Sequence, residues 1–292
     1  MWRLISGVSV RDQVVAHYLF GDMMEVLIEH PGLYHTMIGW SPFQRAGQRY
    51  FHHLVKFPAQ SSDKSSWDWT LQPWAVDIFK ELMLWLHDHR KPWTQKVMEN
   101  HIEAMLGQKT FFLRGEVRKQ QDRGLMPSGW KMTLAGNSIF QIILHVLAAL
   151  RAGVTVSLPM TMGDDTVGEE CPPEYWEQYK RLGAIVKEVS QPSNTEIDFC
   201  GMIFHKDGTF VPAYKEKHAF LVRRIKSDVL KETLMSYQLL YVYDQPRFDA
   251  IQRWMRSIGH GSMNFEREQL IRHLQGLRTK RRFVGLSRLD IR

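Results

Sequence analysis

The stretch Met160-Thr161-Met162-Gly163-Asp164-Asp165-Thr166-Val167 decides the reading of this chain. Two short extended-type runs flank a glycine–aspartate turn signal, so the stretch reads as a hairpin with acidic residues at its tip. Adjacent carboxylates at close range repel one another, and a divalent cation relieves the repulsion. Mg²⁺ takes carboxylate oxygens and keeps positions open for substrate phosphates. A solvated turn has the same composition, because Gly and Asp favour turns for backbone reasons alone. The hairpin thus has two readings, and its surroundings must separate them.

Working outward, an apolar helix is expected over 132–152, stopped by Gly153. Residues 154–157 and 160–162 look strand-like, with Pro159 between them. Beyond the hairpin, Pro172 and Pro173 open a helix that runs to about Leu182, and 184–188 reads as a strand. Extended stretches at 197–204 and 209–211 flank the turn Lys206-Asp207-Gly208. Residues 215–292 are mostly helical. Upstream, 12–29 is helical and 57–66 is a short strand running into a polar loop. Pro73 opens a helix whose Ala75, Phe79, Leu82, Met83 and Leu86 mark one buried face. A further helix covers 93–107, and 109–127 is a polar, basic loop or hairpin. Strands interleaved with helices, followed by a helical tail, predict an α+β fold and then a helical domain.

Composition narrows the classes. Of the 292 residues, 44% are hydrophobic and 24% charged, which excludes a disordered or fibrous chain. A net charge of +7 permits a polyanionic partner. The cysteines are Cys171 and Cys200, too few for a disulfide framework or a cysteine-built zinc site. No unbroken apolar run has the length of a membrane span, so the chain is expected to be soluble and cytoplasmic. Trp67, Trp69, Trp74 and Trp85 are expected to pack rather than stack on bases, and His52, His53, His87 and His89 lack a set of metal-ligand partners.

Two further constellations bear on the hairpin. Asp63 stands at the end of the expected strand, with Asp68 five residues on. If Asp63 faces the hairpin tip, three carboxylates surround one place, as a two-metal centre requires. The other reading is two common acids, with Asp68 capping the loop. In Ser128-Gly129-Trp130-Lys131-Met132-Thr133-Leu134-Ala135-Gly136-Asn137, Thr133 and Asn137 share one helix face. Polar groups on an apolar helix need partners, either a ribose edge or a neighbouring loop. Ser128-Gly129 is a joint suited to close backbone approach.

In this order the three elements resemble motifs A, B and C of the RNA-dependent RNA polymerases of positive-strand RNA viruses: D-x4-D, S-G-x3-T-x3-N, then G-D-D. The segment from Trp2 to Ser9, with Asp12-Gln13, resembles the end of motif F in the sobemovirus-like (sobemo/luteo-type) group, and Ser66-Trp67-Asp68-Trp69-Thr70 is similar to that group's motif A. The likeness runs from residue 2 to about residue 205, and the remainder fits a thumb in position and helicity.

The resemblance implies a right-hand palm, an antiparallel sheet with packed helices, with partial fingers at 1–58, palm with inserted fingers at 59–205 and a helical thumb at 206–292. It implies RNA-directed RNA polymerisation from ribonucleoside triphosphates on template and primer RNA. Asp63, Asp164 and Asp165 would hold two Mg²⁺ ions, with Mn²⁺ as a substitute. Asp68 and Asn137 would read the ribose 2′-hydroxyl, with Ser128, Gly129 and Thr133 shaping the pocket. Lys187 would act as general acid for pyrophosphate, and Arg3 would contact the triphosphate. Phe199-Cys200-Gly201 resembles motif E, a turn that grips the primer end. The basic stretch from Ile271 would guide RNA or form a solvated helix end. The chain begins inside motif F, so an upstream polyprotein segment is expected to complete the fingers, and this chain alone is expected to be poorly active. Other segments would recruit it to membrane-associated viral replication complexes in the host cytoplasm, with no membrane span of its own. The competing classes are a reverse transcriptase, which shares the palm and usually carries a bulky aromatic where Asp68 stands, and a non-catalytic RNA-binding replication subunit.

Overall fold

The computed structural model describes residues 6–87, 91–222 and 224–279. The chain divides into two compact units, one taking the chain up to Gly39 and Gln60–Gln191, the other Trp40–Ala59 and the chain from Pro192 onward. The helices are α1 (Val10–Glu29), α2 (Gly47–Leu54), α3 (Pro73–Leu86), α4 (Pro92–Leu106), α5 (Thr133–Ala152), α6 (Pro173–Arg181), α7 (Lys215–Val222), α8 (Ser227–Leu240), α9 (Gln245–Ser257) and α10 (Arg267–Leu274). The strands are β1 (Gln60–Lys64), β2 (Thr110–Leu113), β3 (Glu116–Lys119), β4 (Met160–Met162), β5 (Asp165–Gly168), β6 (Val186–Val189), β7 (Glu196–Phe199), β8 (Met202–His205) and β9 (Phe210–Pro212).

Local chemistry explains the helix ends. Pro73, Pro92 and Pro173 each open a helix, where the missing N–H would have no intrahelical partner anyway. Gly153 ends α5 at φ 67°, a left-handed conformation that a residue with a Cβ resists. Ser9 caps α1 by accepting the Asp12 N–H at 3.1 Å.

In the first unit the sheet runs β4-β5-β1-β6, and every neighbouring pair is antiparallel. Along β1 the burial alternates: Gln60, Ser62 and Lys64 are buried, while Ser61 and Asp63 are more open. The core behind the sheet is built by Phe20, Phe79, Met83, Ile102, Phe140 and Tyr179, among others, from α1 and α3–α6. Helix α5 is long and apolar enough to cross a membrane by length and composition. Here it is a core helix, with Asn137, Ser138, Gln141 and His145 buried on it.

The second unit carries the antiparallel meander β7-β8-β9. Phe51 of α2 stacks on Phe204 with ring centroids 4.3 Å apart and lies 5.4 Å from Trp40. Leu234, Tyr241, Ile251 and Met255 form a separate cluster between α8 and α9.

Some expectations are corrected. Residues 154–157 form no strand: the Val154 N–H bonds back to Ala149 at 3.1 Å, finishing the helix end. The stretch 197–204 is two strands, because Cys200 and Gly201 both adopt positive φ, 53° and 72°, and reverse the chain in a tight hairpin. Trp69 and Trp85 do not pack; they are 53% and 72% exposed. Leu86, expected on the buried face of α3, is also exposed.

Phe51 is fully buried among aromatic rings. Phe51→Ala is expected to cost about 3–5 kcal/mol, since the cavity cannot fully collapse. Hydrogen exchange should report it as lost protection of the β7–β9 amides.

Candidate active site

The β1–β5 pairing brings the first acids together. Ser62 pairs with Thr166, so one step further along the ladder Asp63 and Asp165 are cross-strand neighbours. Alternation puts both on the face opposite Ser62 and Thr166. Asp164 sits in the two-residue turn between β4 and β5, preceded by Gly163 at φ 69°. Positive φ at the first turn position alone is the glycine requirement of a tight hairpin. Asp164 is exposed and Asp165 half-buried.

Strand β6 adds a cation. Asp63 pairs with Glu188 but Lys64 pairs with Val186, which leaves Lys187 as the extra residue of a bulge. Bulges re-aim side chains, and here the Lys187 ammonium donates to Asp63 Oδ2 at 2.5 Å. Both groups are well exposed, so this pair adds little stability. It does show the Asp63 carboxylate turned toward positive charge. Among the described residues no three His, Cys, Asp or Glu side chains converge closely enough to hold a metal ion. The three aspartates are neighbours by strand register, not a closed ligand set.

The donor chemistry nonetheless fits a hard divalent cation. All three groups are carboxylates, they stand on the adjoining strands β1 and β5 and on the turn that leads into β5, and a cation already sits on one of them.

Helix α5 holds the hairpin tip. Ser138 Oγ accepts the Gly163 N–H at 2.8 Å and donates to Leu134 at 2.9 Å. Gln141 Nε2 donates to the Asp164 carbonyl at 2.8 Å, while its Oε1 accepts from the Tyr179 hydroxyl at 2.6 Å. Burial raises the Tyr179 hydroxyl well above the usual phenol range, so it stays a donor. Beneath β1, Lys64 is buried and donates to Ser62 Oγ at 2.7 Å and Thr166 Oγ1 at 2.6 Å. Burial pulls its pKa down to about 7, against the pull of Asp165, Asp164 and Asp63.

The second constellation also meets. Asn137 Nδ2 donates to Asp68 Oδ1 at 2.8 Å, joining α5 to the 3-10 turn Trp67–Trp69. Thr133 does not face that pair: its hydroxyl contacts the Pro127 and Trp130 carbonyls, each at 2.7 Å. Ser128 Oγ accepts the Ser6 N–H at 3.0 Å. The close approach at Gly129 is to the chain itself, since a Cβ there would lie 2.3 Å from the Ser6 carbonyl oxygen. Gln13 clamps the same loop, donating to the Gly129 carbonyl and accepting the Lys131 N–H at 2.9 Å. Arg3 lies outside the described residues, as do His89 and the basic segment from Lys280.

Sequence reasoning passed over Ser138, Gln141, Tyr179 and Lys64. Two signals were available. Asn137, Gln141 and His145 continue a polar stripe at spacings of four along an apolar helix, and Lys64 falls on the inward parity of β1.

Comparison with known proteins adds the following. The family model described as viral RNA-dependent RNA polymerase matches residues 2–220. The replicase polyprotein P2AB of Southern cowpea mosaic virus is 26% identical over 278 residues, which is 88% of this chain and 27% of the relative. Protein P1-P2 of Pea enation mosaic virus-1 is 30% identical over 244 residues, 75% of this chain and 19% of the relative. The chain thus spans about a quarter or less of these curated relatives. The structure of the Sicinivirus 3Dpol RNA-dependent RNA polymerase superposes with a TM-score of 0.69 at 16% identity, covering 93% of this chain and 62% of that one. At that identity the likeness establishes the fold, the right-hand palm of helices and antiparallel strands.

Gln141→Leu keeps the volume of Gln141 but removes both hydrogen bonds. It leaves the buried Tyr179 hydroxyl and the Asp164 carbonyl without their partner, an expected cost of about 1–3 kcal/mol. Thermal unfolding should show the loss, and amide exchange should show it centred on Gly163–Asp165.

Proposed function

The chain belongs to the viral RNA-dependent RNA polymerase family, and from that premise we propose that it carries the nucleotidyl-transfer centre of an RNA-directed RNA polymerase. The observation that carries this reading is the cross-strand placement of Asp63 beside Asp165 with Asp164 at the adjoining tip. In the proposed reaction the primer 3′-hydroxyl attacks the α-phosphate of a ribonucleoside triphosphate, a new phosphorus–oxygen bond forms, and pyrophosphate leaves.

Asp63, Asp164 and Asp165 would hold two Mg²⁺ ions. When bound, such ions stabilise the attacking and leaving oxygens of an in-line displacement. Lys187 would have to leave Asp63 as that carboxylate takes up its ligand role, which frees the ammonium to protonate the departing pyrophosphate. The exposed position of Lys187 on a bulge suits such a movement.

The Asp68–Asn137 pair would recognise the ribose. Asn137 uses one N–H on Asp68 and has a second to donate. A 2′-hydroxyl that accepts from Asn137 and donates to Asp68 satisfies both, whereas a deoxyribose leaves polar groups unpaired. Ser128, Gly129 and Thr133 would act indirectly, by setting the loop that leads into α5. Template and primer RNA are the proposed partners, and sequence outside this chain is proposed to complete the fingers, in keeping with the greater length of the relatives.

Asp164→Ala in the full-length polymerase that contains this chain is expected to lower primer elongation on RNA by about a hundredfold or more. Unimpaired elongation would refute the metal assignment. Asn137→Ala is expected to narrow the preference for ribonucleotides over deoxyribonucleotides by about two- to tenfold, the loss of one neutral hydrogen bond to the 2′-hydroxyl. Competitive single-nucleotide incorporation measures it, and an unaltered ratio would count against the ribose role.

A further inference from the structure

A buried ammonium is costly unless a charge or a full set of hydrogen bonds compensates it. Lys64 is 4% exposed and, among the described residues, forms no ion pair. Its contacts are neutral: Ser62 Oγ at 2.7 Å, Thr166 Oγ1 at 2.6 Å and the Ser62 carbonyl at 3.3 Å. Three acceptors match the three N–H bonds of an ammonium. The ring of Tyr179 lies on the same side, its centroid 5.9 Å from Nζ. These groups seat the cation on the inner face of β1 and β5, the two strands whose outer faces bear Asp63 and Asp165.

Among the described residues no acidic side chain on the inner face pairs with this charge by contact. The negative charge that answers it is across the sheet, on Asp63 beside it in the chain and on Asp164 and Asp165 just before Thr166. Inside a protein such attraction is screened far less than at the surface. The relation is reciprocal: the ammonium relieves repulsion among the carboxylates, and it repels any cation that approaches them. Lys187 supplies a second positive charge on the outer face, but from an exposed side chain that can move away. Lys64 cannot move away, because both strands and Tyr179 enclose it.

We propose that Lys64 is a positioning residue, a fixed internal counter-charge that holds the three carboxylates together before a cation binds and weakens the affinity with which they bind one. This rests on the metal-centre reading of Asp63, Asp164 and Asp165. A merely structural lysine would leave cation affinity unchanged, or lower it when removed. A counter-charge makes the opposite prediction: removing it tightens binding.

The test is Mn²⁺ binding to this chain, followed by the electron spin resonance of free Mn²⁺ at about pH 6. The unaltered chain, Asp164→Ala, Lys64→Met and Lys64→Gln are compared, with circular dichroism to verify folding. The expected result is binding by the unaltered chain, loss of binding in Asp164→Ala, and binding tightened about tenfold in the Lys64 variants. Lys64→Gln keeps hydrogen-bonding capacity should Lys64→Met fail to fold. Unchanged or weaker binding in a folded Lys64 variant would overturn the inference and leave the metal centre standing. Absence of Mn²⁺ binding by the unaltered chain, or binding indifferent to Asp164→Ala, would overturn both.

Discussion

The antiparallel pairing of β1 with β5 is the constraint on which the site depends. It is a short ladder, and its inward side chains are hydroxyls and a lysine rather than a run of apolar residues. What holds it is polar: Ser62 Oγ and Thr166 Oγ1 lie 2.7 Å apart, and Lys64 binds both. Because side chains alternate with period two, fixing these groups inward fixes Asp63 and Asp165 outward. A one-residue slip of β1 against β5 would bury the Asp63 carboxylate and expose the lysine.

Helix α5 then turns a sheet edge into a site. Its apolar side joins the core, and its polar side reaches the hairpin backbone through Ser138 and Gln141 and the 3-10 turn through Asn137. One rigid helix thus fixes both the acidic tip and the proposed ribose-reading pair. The bonds to the hairpin go to its backbone, so α5 holds the chain beneath the acidic side chains without using the Asp164 carboxylate. The Ser138 bond is buried and the other two are partly buried, where an unpaired partner costs more than at the surface.

The electrostatics follow the same division. Cations sit on both faces of the strand that carries Asp63, one exposed and one enclosed. The exposed Lys187 owes its reach to a bulge in β6, a local irregularity of the kind that redirects a side chain. Positive charge on both faces eases the repulsion between like charges that share one end of a sheet.

The sequence by itself determined the elements that depend on local chemistry. Prolines at Pro73, Pro92 and Pro173 start helices, Gly153 stops one, and Gly163 permits the tight turn, because each acts on the backbone dihedral angles of its own residues. The order of the three acidic and polar elements was legible for the same reason, being a matter of spacing along the chain. Tertiary structure alone decided which face each residue takes and what it meets there. Asn137 found Asp68, but Thr133 turned to its own loop, and Gly129 approached Ser6. Lys64 went unmarked in the sequence, and strand parity and the packing of Tyr179 enclose it. Its parity on β1 was legible from spacing, but what encloses it was not, because that depends on strand pairing across about a hundred residues and on a helix from yet another part of the chain.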